Sequence, residues 1–271
     1  MKIYQVDAFT SQAYKGNPAG VCVLPSSKPL DDTLLQNISA ELHVSETAFL
    51  SKQNGSYHLR WFTPLAEIDF CGHATLSSAH ILWETGLEKK QDTIEFDTLS
   101  GKLFARYKNG KIELNFPSFT GQPALVQKRI TTALGITPIF SGVNGSRYLF
   151  EVENRQVLET MQPDFSKLKK FGDKQFIITC KSEDKEHDFY SRFFVPFIGI
   201  DEDPVTGSAH SFLAPYWSRK LGNKLLKAYQ ASQRGGILEC ELTDKDRVLI
   251  RGQAVIVFEI EMREEHIPRW H

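Results

Sequence analysis

The sequence RWFTP at 60–64 is followed by GHAT at 72–75, and a similar pair, RFFVP at 192–196 and GSAH at 207–210, recurs 132 to 135 positions later. A repeat at about half the chain length indicates two copies of one folding unit, because solenoid repeats are only about 20–50 residues long. Each copy continues into a Trp and then a Gly, namely Trp83 and Gly86 in the first and Trp217 and Gly222 in the second. The sequence therefore predicts two related half-sites, each at a Gly-containing turn before a helix.

The composition is that of an ordinary globular protein. The chain has 271 residues, of which 41% are hydrophobic and 24% charged, a length that suits one large domain or two. The net charge is −1 without any basic run, so nucleic acid is not an expected partner, since its binding requires clustered cations. The chain contains neither a long apolar span nor a secretory signal pattern at MKIYQVDAFT, so no membrane partner is expected.

The cysteines indicate a reducing compartment. Cys22, Cys71, Cys180 and Cys240 are widely separated and form no CxxC pair. Free thiols are typical of the cytoplasm, where disulfides rarely persist. We therefore expect a cytoplasmic protein.

Periodicity predicts alternating strands and helices in the first half. Asp31 or Asp32 can cap a helix that ends near His43, and a second helix is expected at 73–85 with Gly86 at its C-terminal stop. The expected strands are 3–9, 19–24, 46–50 and 58–63.

The second half is predicted to begin after a linker from Pro117 to Pro123. Its expected helices are 125–134, 154–160 and 208–221, and its expected strands are 147–152, 175–180, 188–195, 237–242, 247–251 and 254–262. Helices between strands are compatible with a parallel doubly wound sheet. The hairpin signal Asn109-Gly110 and the run of strands at the end instead favour antiparallel or mixed sheets around each helix.

The two Gly-containing helix starts are candidate anion sites. The first turn of a helix has unpaired N–H groups and about half a unit of positive charge, which suits a carboxylate or phosphate. Gly72 and Gly207 would let a ligand approach the backbone, and His73 and Ser208 follow them. One copy alone would be explained by a turn glycine and a capping His73, whereas two copies could hold one anion jointly.

Asp203 precedes a proline and leads into the second of these helices. It could form the turn or cap the helix. A carboxylate beside a helix N-terminus tends to stay ionised. Asp203 therefore suits accepting a hydrogen bond better than releasing a proton.

Glu46 lies at the start of the strand that contains Ala48 and Leu50. If those residues face the core, the period of two places Glu46 on the same face. Apolar surroundings would then raise the pKa of its carboxyl group toward the range of a general acid or base. The alternative is an exposed Glu at a strand end, and the pattern alone favours that alternative.

Metal and cofactor motifs are absent from the sequence. The eight His residues show no HExxH or Cys/His spacing, GVNG at 142–145 is interpreted as a turn and not a dinucleotide fingerprint, and there is no P-loop. Cys71 could be activated by the helix start, but Val205 and Thr206 occupy the corresponding place in the second half. A buried small residue is the favoured interpretation of Cys71, and we expect an enzyme without metal or cofactor.

These motifs resemble the phenazine-biosynthesis (PhzF-like) isomerase family, which has a diaminopimelate-epimerase-like fold. The resemblance covers nearly the whole chain and rests on VDAFT at 6–10, GNPAGVCVL at 16–24, SETAFL at 45–50, RWFTP at 60–64, GHAT at 72–75 and DPVTGSAH at 203–210. It implies an α+β fold of two similar halves, each a curved, barrel-like mixed or antiparallel sheet wrapped around a central helix, with the active site in the cleft between them. The implied halves are 1–118 and 119–254, and the C-terminal strand at about 255–271 would complete the first half.

The resemblance also implies roles for individual residues. It assigns proton transfer to Glu46, and the residues implied to line the same pocket are His73, Asp203, Ser208, Gly72, Gly207 and Asn17. Two-thiol epimerases of this fold carry a Cys in each half, whereas this chain keeps only Cys71 of that pair, so the comparison favours acid/base chemistry by a carboxylate.

We therefore predict a cofactor-independent isomerase that moves a proton on a small carboxylate-bearing metabolite by general acid/base catalysis with Glu46. One alternative is a metabolite- or protein-binding member of the fold without turnover. A two-thiol racemase is a third hypothesis, which the missing second Cys disfavours. A homodimer is expected from the resemblance and from the frequency of two-fold dimers.

Overall fold

The computed structural model describes residues 1–24 and 31–263. The chain divides into two compact units, the first comprising Met1–Asn115 with the chain from Arg251 onward, and the second comprising Phe116–Ile250. The part of the expected C-terminal strand beyond residue 263 lies outside the described residues. Within the described ranges, no helix is long and apolar enough to cross a membrane.

The first part of the chain, up to the end of β8, alternates strands with two long helices. The helices are α1 (Asp32–Leu42) and α2 (Gly72–Glu84). The strands are β1 (Lys2–Ala8), β2 (Asn17–Val23), β3 (Glu46–Gln53), β4 (Ser56–Phe62), β5 (Glu67–Ile68), β6 (Ile94–Thr98), β7 (Gly101–Lys108) and β8 (Lys111–Pro117).

The rest of the chain has a similar order of elements. Its helices are α3 (Lys128–Leu134), α4 (Arg155–Thr160), α5 (Phe165–Leu168) and α6 (Gly207–Leu221), with 3₁₀ turns at Lys169–Phe171 and Pro196–Ile198. Its strands are β9 (Gln122–Pro123), β10 (Phe140–Asn144), β11 (Arg147–Glu151), β12 (Gln175–Lys181), β13 (Phe189–Val195), β14 (Ile200–Glu202), β15 (Leu225–Gln230), β16 (Gly236–Leu242), β17 (Arg247–Gly252) and β18 (Ala254–Glu261).

The two units share one pattern of strand pairing. In the first, β18, β1, β2, β3 and β4 are neighbours in that order, and β4 pairs with both β5 and β6. In the second, β9, β10, β11, β12 and β13 are neighbours in the same order, and β13 pairs with both β14 and β15. The prediction of two similar halves, made from the repeated motifs, is confirmed.

Both sheets are mixed, so a purely parallel doubly wound sheet is excluded. The pairs β2–β3, β4–β6, β11–β12 and β13–β15 are parallel, and a helix lies between the two strands of each pair in the chain. This follows because parallel strands cannot be joined by a tight turn. Antiparallel neighbours use hairpins, as at Asn109-Gly110, where both residues have the positive φ of a type I′ turn.

The core of the first unit is built around α2. Eleven of its thirteen residues are buried, and it packs against β1, β2, β3 and β18. In the second unit, α6 is largely buried and packs against β15 and β16. Since α2 is buried on nearly all sides, it has to be enclosed by neighbouring elements, and the strands of the sheet provide that enclosure.

Two predicted elements of the second half were misplaced. The helix expected at 125–134 begins only at Lys128. The chain before it is extended, because β9 pairs with β10 and the N–H of Ala124 donates to the carbonyl oxygen of Ser141. The GVNG sequence is not a turn throughout, since its first three residues belong to β10 and only Gly145 has a positive φ.

The arginines that begin the repeated motifs form equivalent ion pairs inside each unit. Nε and Nη2 of Arg60 donate to the two carboxylate oxygens of Glu67, both at 2.7 Å, and Arg192 binds Glu202 in the same way at 2.8 Å. Each guanidinium also lies 5.0 Å from the centre of the Phe ring two positions later. The duplicated Arg therefore ties β4 to β5 and β13 to β14.

We expect Arg60→Lys and Arg192→Lys each to destabilise the protein by about 1–3 kcal/mol, because a lysine cannot replace a two-pronged guanidinium–carboxylate contact. Urea unfolding at neutral pH measures the effect. The control is Lys224→Arg, at an exposed ion pair with Asp244, which should change the unfolding free energy by less than about 0.5 kcal/mol. Equal effects at all three positions would contradict a structural role for the repeated Arg.

Candidate functional site

A strand start and a helix start bring Glu46 and His73 together in the first unit. Glu46 is the first residue of β3, and His73 is the second residue of α2. Oε2 of Glu46 lies 3.1 Å from Nε2 of His73. Only 8% of Glu46 and 5% of His73 are exposed. The two side chains form a buried carboxylate–imidazole pair.

The favoured expectation of an exposed Glu at the strand end is wrong. The first six residues of β3, Glu46–Ser51, are all buried. The strand packs against α2 and also against α1, so neither of its faces is open to water. An alternation of apolar and polar residues reveals the buried face of a strand only when the other face is in contact with solvent. Neither face of β3 is in contact with solvent over its first six residues.

The pair is charged at neutral pH. Burial acts to raise the pKa of Glu46, but the positive charge of His73 and the polar contacts with His73 and Ser45 outweigh burial, so the pKa is lowered. Burial acts to lower the pKa of His73, but the electrostatic and hydrogen-bonding contacts of the ring with Cys71 and Glu46 outweigh burial and raise the pKa well above the ordinary value. The raised pKa expected for Glu46 is therefore wrong, because the apolar surroundings contain a cation.

One oxygen of this carboxylate has no hydrogen bond. Oε2 of Glu46 is buried and has no aligned donor among the described residues. Nε2 of His73 is near enough for an ion pair with this oxygen. A buried carboxylate oxygen without a donor is unfavourable, so this oxygen is available to accept a proton or a hydrogen bond from a ligand.

Ser45 contacts the same imidazole and also contacts Asn17. Oγ of Ser45 lies 3.4 Å from Nε2 of His73, and its one hydroxyl proton can be donated to Oδ1 of Asn17 or to the carbonyl oxygen of Pro18, both at 3.2 Å. Asn17 is fully buried at the start of β2. Two strand starts and one helix start thus converge on one cluster.

Cys71 contacts the other side of the imidazole ring. Its Sγ lies 3.5 Å from Nδ1 of His73, and burial raises the pKa of the thiol. Cys71 is the N-cap residue of α2, yet its side chain makes no capping hydrogen bond to the helix. At neutral pH the Cys71 side chain is therefore a neutral thiol beside the imidazolium.

In the second unit, Asp203 belongs to a network at the start of α6. Its carboxylate accepts a hydrogen bond from Oγ1 of Thr206. The backbone N–H of Thr206 donates to Oε1 of Gln230 at 2.9 Å, and Nε2 of Gln230 donates to the carbonyl oxygen of Asp203 at 2.7 Å. Thr206 is the N-cap, and Gly207 and Ser208 form the first turn. Asp203 itself is therefore not the helix cap.

His210 is a buried histidine with the opposite charge state. Its Nδ1 donates to the carbonyl oxygen of Thr206 at 2.7 Å, and its ring stacks on Phe189. Burial lowers its pKa to about 4, because no carboxylate offsets the loss of water. His210 is consequently a neutral core residue, whereas His73 is a cation.

The strand registers identify the counterparts of the polar cluster. Thr47 faces Phe62 on β4 in the first unit, and Phe176 faces Phe194 on β13 in the second. The motifs align Phe62 with Phe194, so their strand partners Thr47 and Phe176 correspond to each other. The residues that precede these partners, Glu46 and Gln175, therefore correspond as well. The repeated motifs likewise align His73 with Ser208 and Cys71 with Thr206. At these three aligned positions, the carboxylate, imidazole and thiol all belong to the first unit, and the second unit has an amide and two hydroxyl groups.

The predicted site residues fall into one group in each unit. Glu46, His73 and Asn17 lie together in the first, where Gly72 begins α2, while Asp203, Gly207 and Ser208 surround the start of α6 in the second. The sequence reasoning missed Ser45, Thr206 and Gln230. Ser45 and Thr206 lie inside quoted motifs and were recognisable there, whereas Gln230 has no local signal.

Three of these side chains could hold a metal ion. The ligand atoms of Glu46, Cys71 and His73 all lie within 4.8 Å of one another. Carboxylate, thiolate and imidazole together are typical of zinc coordination.

Known proteins resemble this chain throughout its length. A family model described as phenazine biosynthesis-like protein matches residues 6–260. An uncharacterized isomerase of Halalkalibacterium halodurans is 49% identical over 96% of this chain and 97% of its own length. The crystal structure of a putative phenazine biosynthesis PhzC/PhzF protein from Clostridium difficile is 38% identical with a TM-score of 0.90, covering 97% of this chain and 99% of that one. A predicted epimerase of Pseudomonas aeruginosa, 17% identical with a TM-score of 0.74 over 96% of this chain and 98% of its own, shares the fold.

The chain belongs to the phenazine biosynthesis-like (PhzC-PhzF) family. The resemblance inferred from the motifs is confirmed, and so is the epimerase-like α+β fold with two similar halves.

We expect NMR titration of the imidazole resonances to distinguish the two buried histidines. His73 should remain protonated well above its ordinary pKa of 6.5, whereas His210 should stay neutral down to about pH 4. Glu46→Gln should lower the pKa of His73, because it removes the neighbouring negative charge, and should leave His210 unchanged. An unshifted His73 in this variant would contradict the ion pair.

The same pair should make stability depend on pH. The raised pKa of His73 contributes stability that is complete below pH 6.5, its ordinary pKa, and is lost as the pH rises through the pKa in the folded protein. The lowered pKa of Glu46 contributes stability that is complete above pH 4.5, its ordinary pKa, and is lost as the pH falls through the pKa in the folded protein. The unfolding free energy of the wild type minus that of the Glu46→Gln/His73→Gln double variant should therefore peak between those two values. On the alkaline side it should fall by at most about 1.4 kcal/mol per pH unit. A pH-independent difference in urea unfolding would contradict the charged pair.

Proposed function

We propose that the protein is an isomerase that moves a proton between carbon atoms of a small carboxylate-bearing metabolite, with Glu46 as the proton carrier. The observation that carries this proposal is the buried Oε2 of Glu46, which has no aligned donor and lies beside an imidazolium. The family supports it, since relatives such as the one from Halalkalibacterium halodurans bear the name isomerase.

The first step is removal of a proton from carbon by the Glu46 carboxylate. His73 keeps this group ionised and therefore ready to accept a proton, but it also makes it a weak base. An anionic substrate that approaches His73 would offset part of the imidazolium charge and raise the pKa of Glu46. Substrate binding would thus strengthen the base at the moment it is needed.

The second step is return of the proton to another carbon of the same framework. The negative charge that develops on the substrate carboxylate during enolisation would be stabilised by the imidazolium of His73 and by the first-turn N–H groups of α2. The Cys71 side chain makes no capping hydrogen bond to these N–H groups, so they would be available to the ligand. The protonated Glu46 then delivers its proton, and the enzyme returns to its starting state.

Asp203, Ser208 and Gly207 are proposed to assist the same reaction, and this assignment rests on the family resemblance. The hydrogen bonds of Asp203 with Thr206 and Gln230 support a fixed, orienting role for it. The absence of a cofactor, the homodimer and the cytoplasmic location stay predictions from the sequence.

Hydrogen exchange tests the proposal. A panel of small unsaturated and cyclic carboxylic acids is incubated with the protein in D₂O, and deuterium incorporation at carbon is followed by NMR. We expect Glu46→Gln to slow exchange of any accepted compound by about 10²–10⁴-fold or more. Glu41→Gln, at an exposed position of α1, is the matched control and should keep the wild-type rate.

The outcome also separates the alternative functions. Exchange that is unchanged in Glu46→Gln would remove Glu46 from the mechanism. Tight binding of a panel member without exchange in the wild type would favour a binding protein. Loss of exchange in Cys71→Ala as large as in Glu46→Gln would favour thiol chemistry, although the raised pKa of Cys71 leads us to expect less than about a tenfold effect.

A further inference from the structure

Glu46, Cys71 and His73 offer three different metal-binding atoms in one buried cluster. The carboxylate and the thiol approach the imidazole from its two nitrogens, at 3.1 Å from Nε2 and 3.5 Å from Nδ1. All three ligand atoms lie within 4.8 Å of one another. All three residues are buried, and at most 8% of any of them is exposed.

The spacing of Cys71 and His73 matches the dimensions of a tetrahedral zinc site. With metal–ligand bonds of about 2.0–2.3 Å, two neighbouring ligands of a tetrahedron are separated by about 3.3–3.6 Å. The contact between Cys71 Sγ and His73 Nδ1 has this length, at 3.5 Å. Because an ion binds a single imidazole nitrogen, the contact of Glu46 with Nε2 is not an edge of the same tetrahedron. The three ligand atoms lie at most 4.8 Å apart, so their largest separation has to close by no more than roughly 1.5 Å when the ion binds.

A second observation points to a ligand at this place. Oε2 of Glu46 is a buried carboxylate oxygen without an aligned hydrogen-bond donor. A cation between Glu46 and Cys71 would satisfy that oxygen, and it would also use the thiol, which the proton-transfer reaction leaves idle.

We propose that Glu46, Cys71 and His73 form a binding site for a thiophilic divalent cation, zinc above all, and that the bound ion reversibly blocks proton transfer by occupying Glu46. Three protein ligands leave the fourth position of the tetrahedron to water, as in open zinc sites. The site is inhibitory because the same carboxylate oxygen cannot hold a metal ion and take a proton from a substrate.

Charge is conserved when the ion binds. The metal-free cluster contains a carboxylate, an imidazolium and a neutral thiol, with a net charge of zero. Zn²⁺ displaces one proton from His73 and one from Cys71, so the loaded cluster contains a carboxylate, a neutral imidazole, a thiolate and the dication, again with a net charge of zero. No net charge is therefore buried.

Isothermal titration of the metal-free, tag-free full chain with ZnCl₂ tests the site. We expect one ion per chain, and affinity reduced on the order of 100-fold in Cys71→Ala and in Glu46→Gln, because each variant removes one of three ligands. Cys22→Ala is the matched control, since Cys22 is a buried thiol of the same unit among apolar neighbours, and it should bind zinc as the wild type does.

Cobalt supplies an independent measurement on the same proteins. Co²⁺ in the wild type and in Cys22→Ala should give a sulfur-to-cobalt charge-transfer band in the near ultraviolet, which Cys71→Ala should lack. Absence of the band in the wild type, or zinc affinity equal in all four proteins, would overturn the proposal. Because these experiments measure binding alone, their failure would leave proton transfer by Glu46 unaffected, and loss of exchange in Glu46→Gln would not by itself support the metal site.

Discussion

Enclosure of the α2 start by a curved sheet is the constraint on which the first unit depends. A helix that is buried at its N-terminus cannot give its first N–H groups to water, and Cys71 supplies no side-chain cap. The starts of β2 and β3 place Asn17 and Glu46 in the same cluster as His73, the second residue of this helix. The same enclosure that stabilises the core thus concentrates charged and polar groups at one point.

The duplication built a symmetric scaffold and an asymmetric set of polar residues. Arg60–Glu67 and Arg192–Glu202 are the same structural contact in both units. The polar positions at the helix starts, by contrast, have diverged, and Gln175 stands where the first unit has Glu46. An amide cannot carry a proton as a carboxylate does. Proton chemistry is consequently proposed for the first unit, with the second in a supporting role.

Most of the fold was predictable, and the site only in part. The hairpin at Asn109-Gly110 and the helices that end in Gly follow from local backbone preferences, so the sequence indicates them directly. Local patterns failed where strand pairing overrides them, as for the residues before Lys128, which β10 holds in an extended form. The family motifs named Glu46 and His73, but the pattern of β3 suggested an exposed Glu, because periodicity does not reveal that two helices cover both faces of a strand.

The amino-acid sequence by itself determined the duplication, the class of fold and the identity of the groups able to move a proton, since these depend on residue types and their order. Only the tertiary structure decided that Glu46 is buried, that His73 is a cation while His210 is neutral, and that Cys71 adjoins both Glu46 and His73. The reason is physical. A pKa and a ligand set depend on distances between side chains that are far apart in the chain, and only the packing of helix against strand sets those distances.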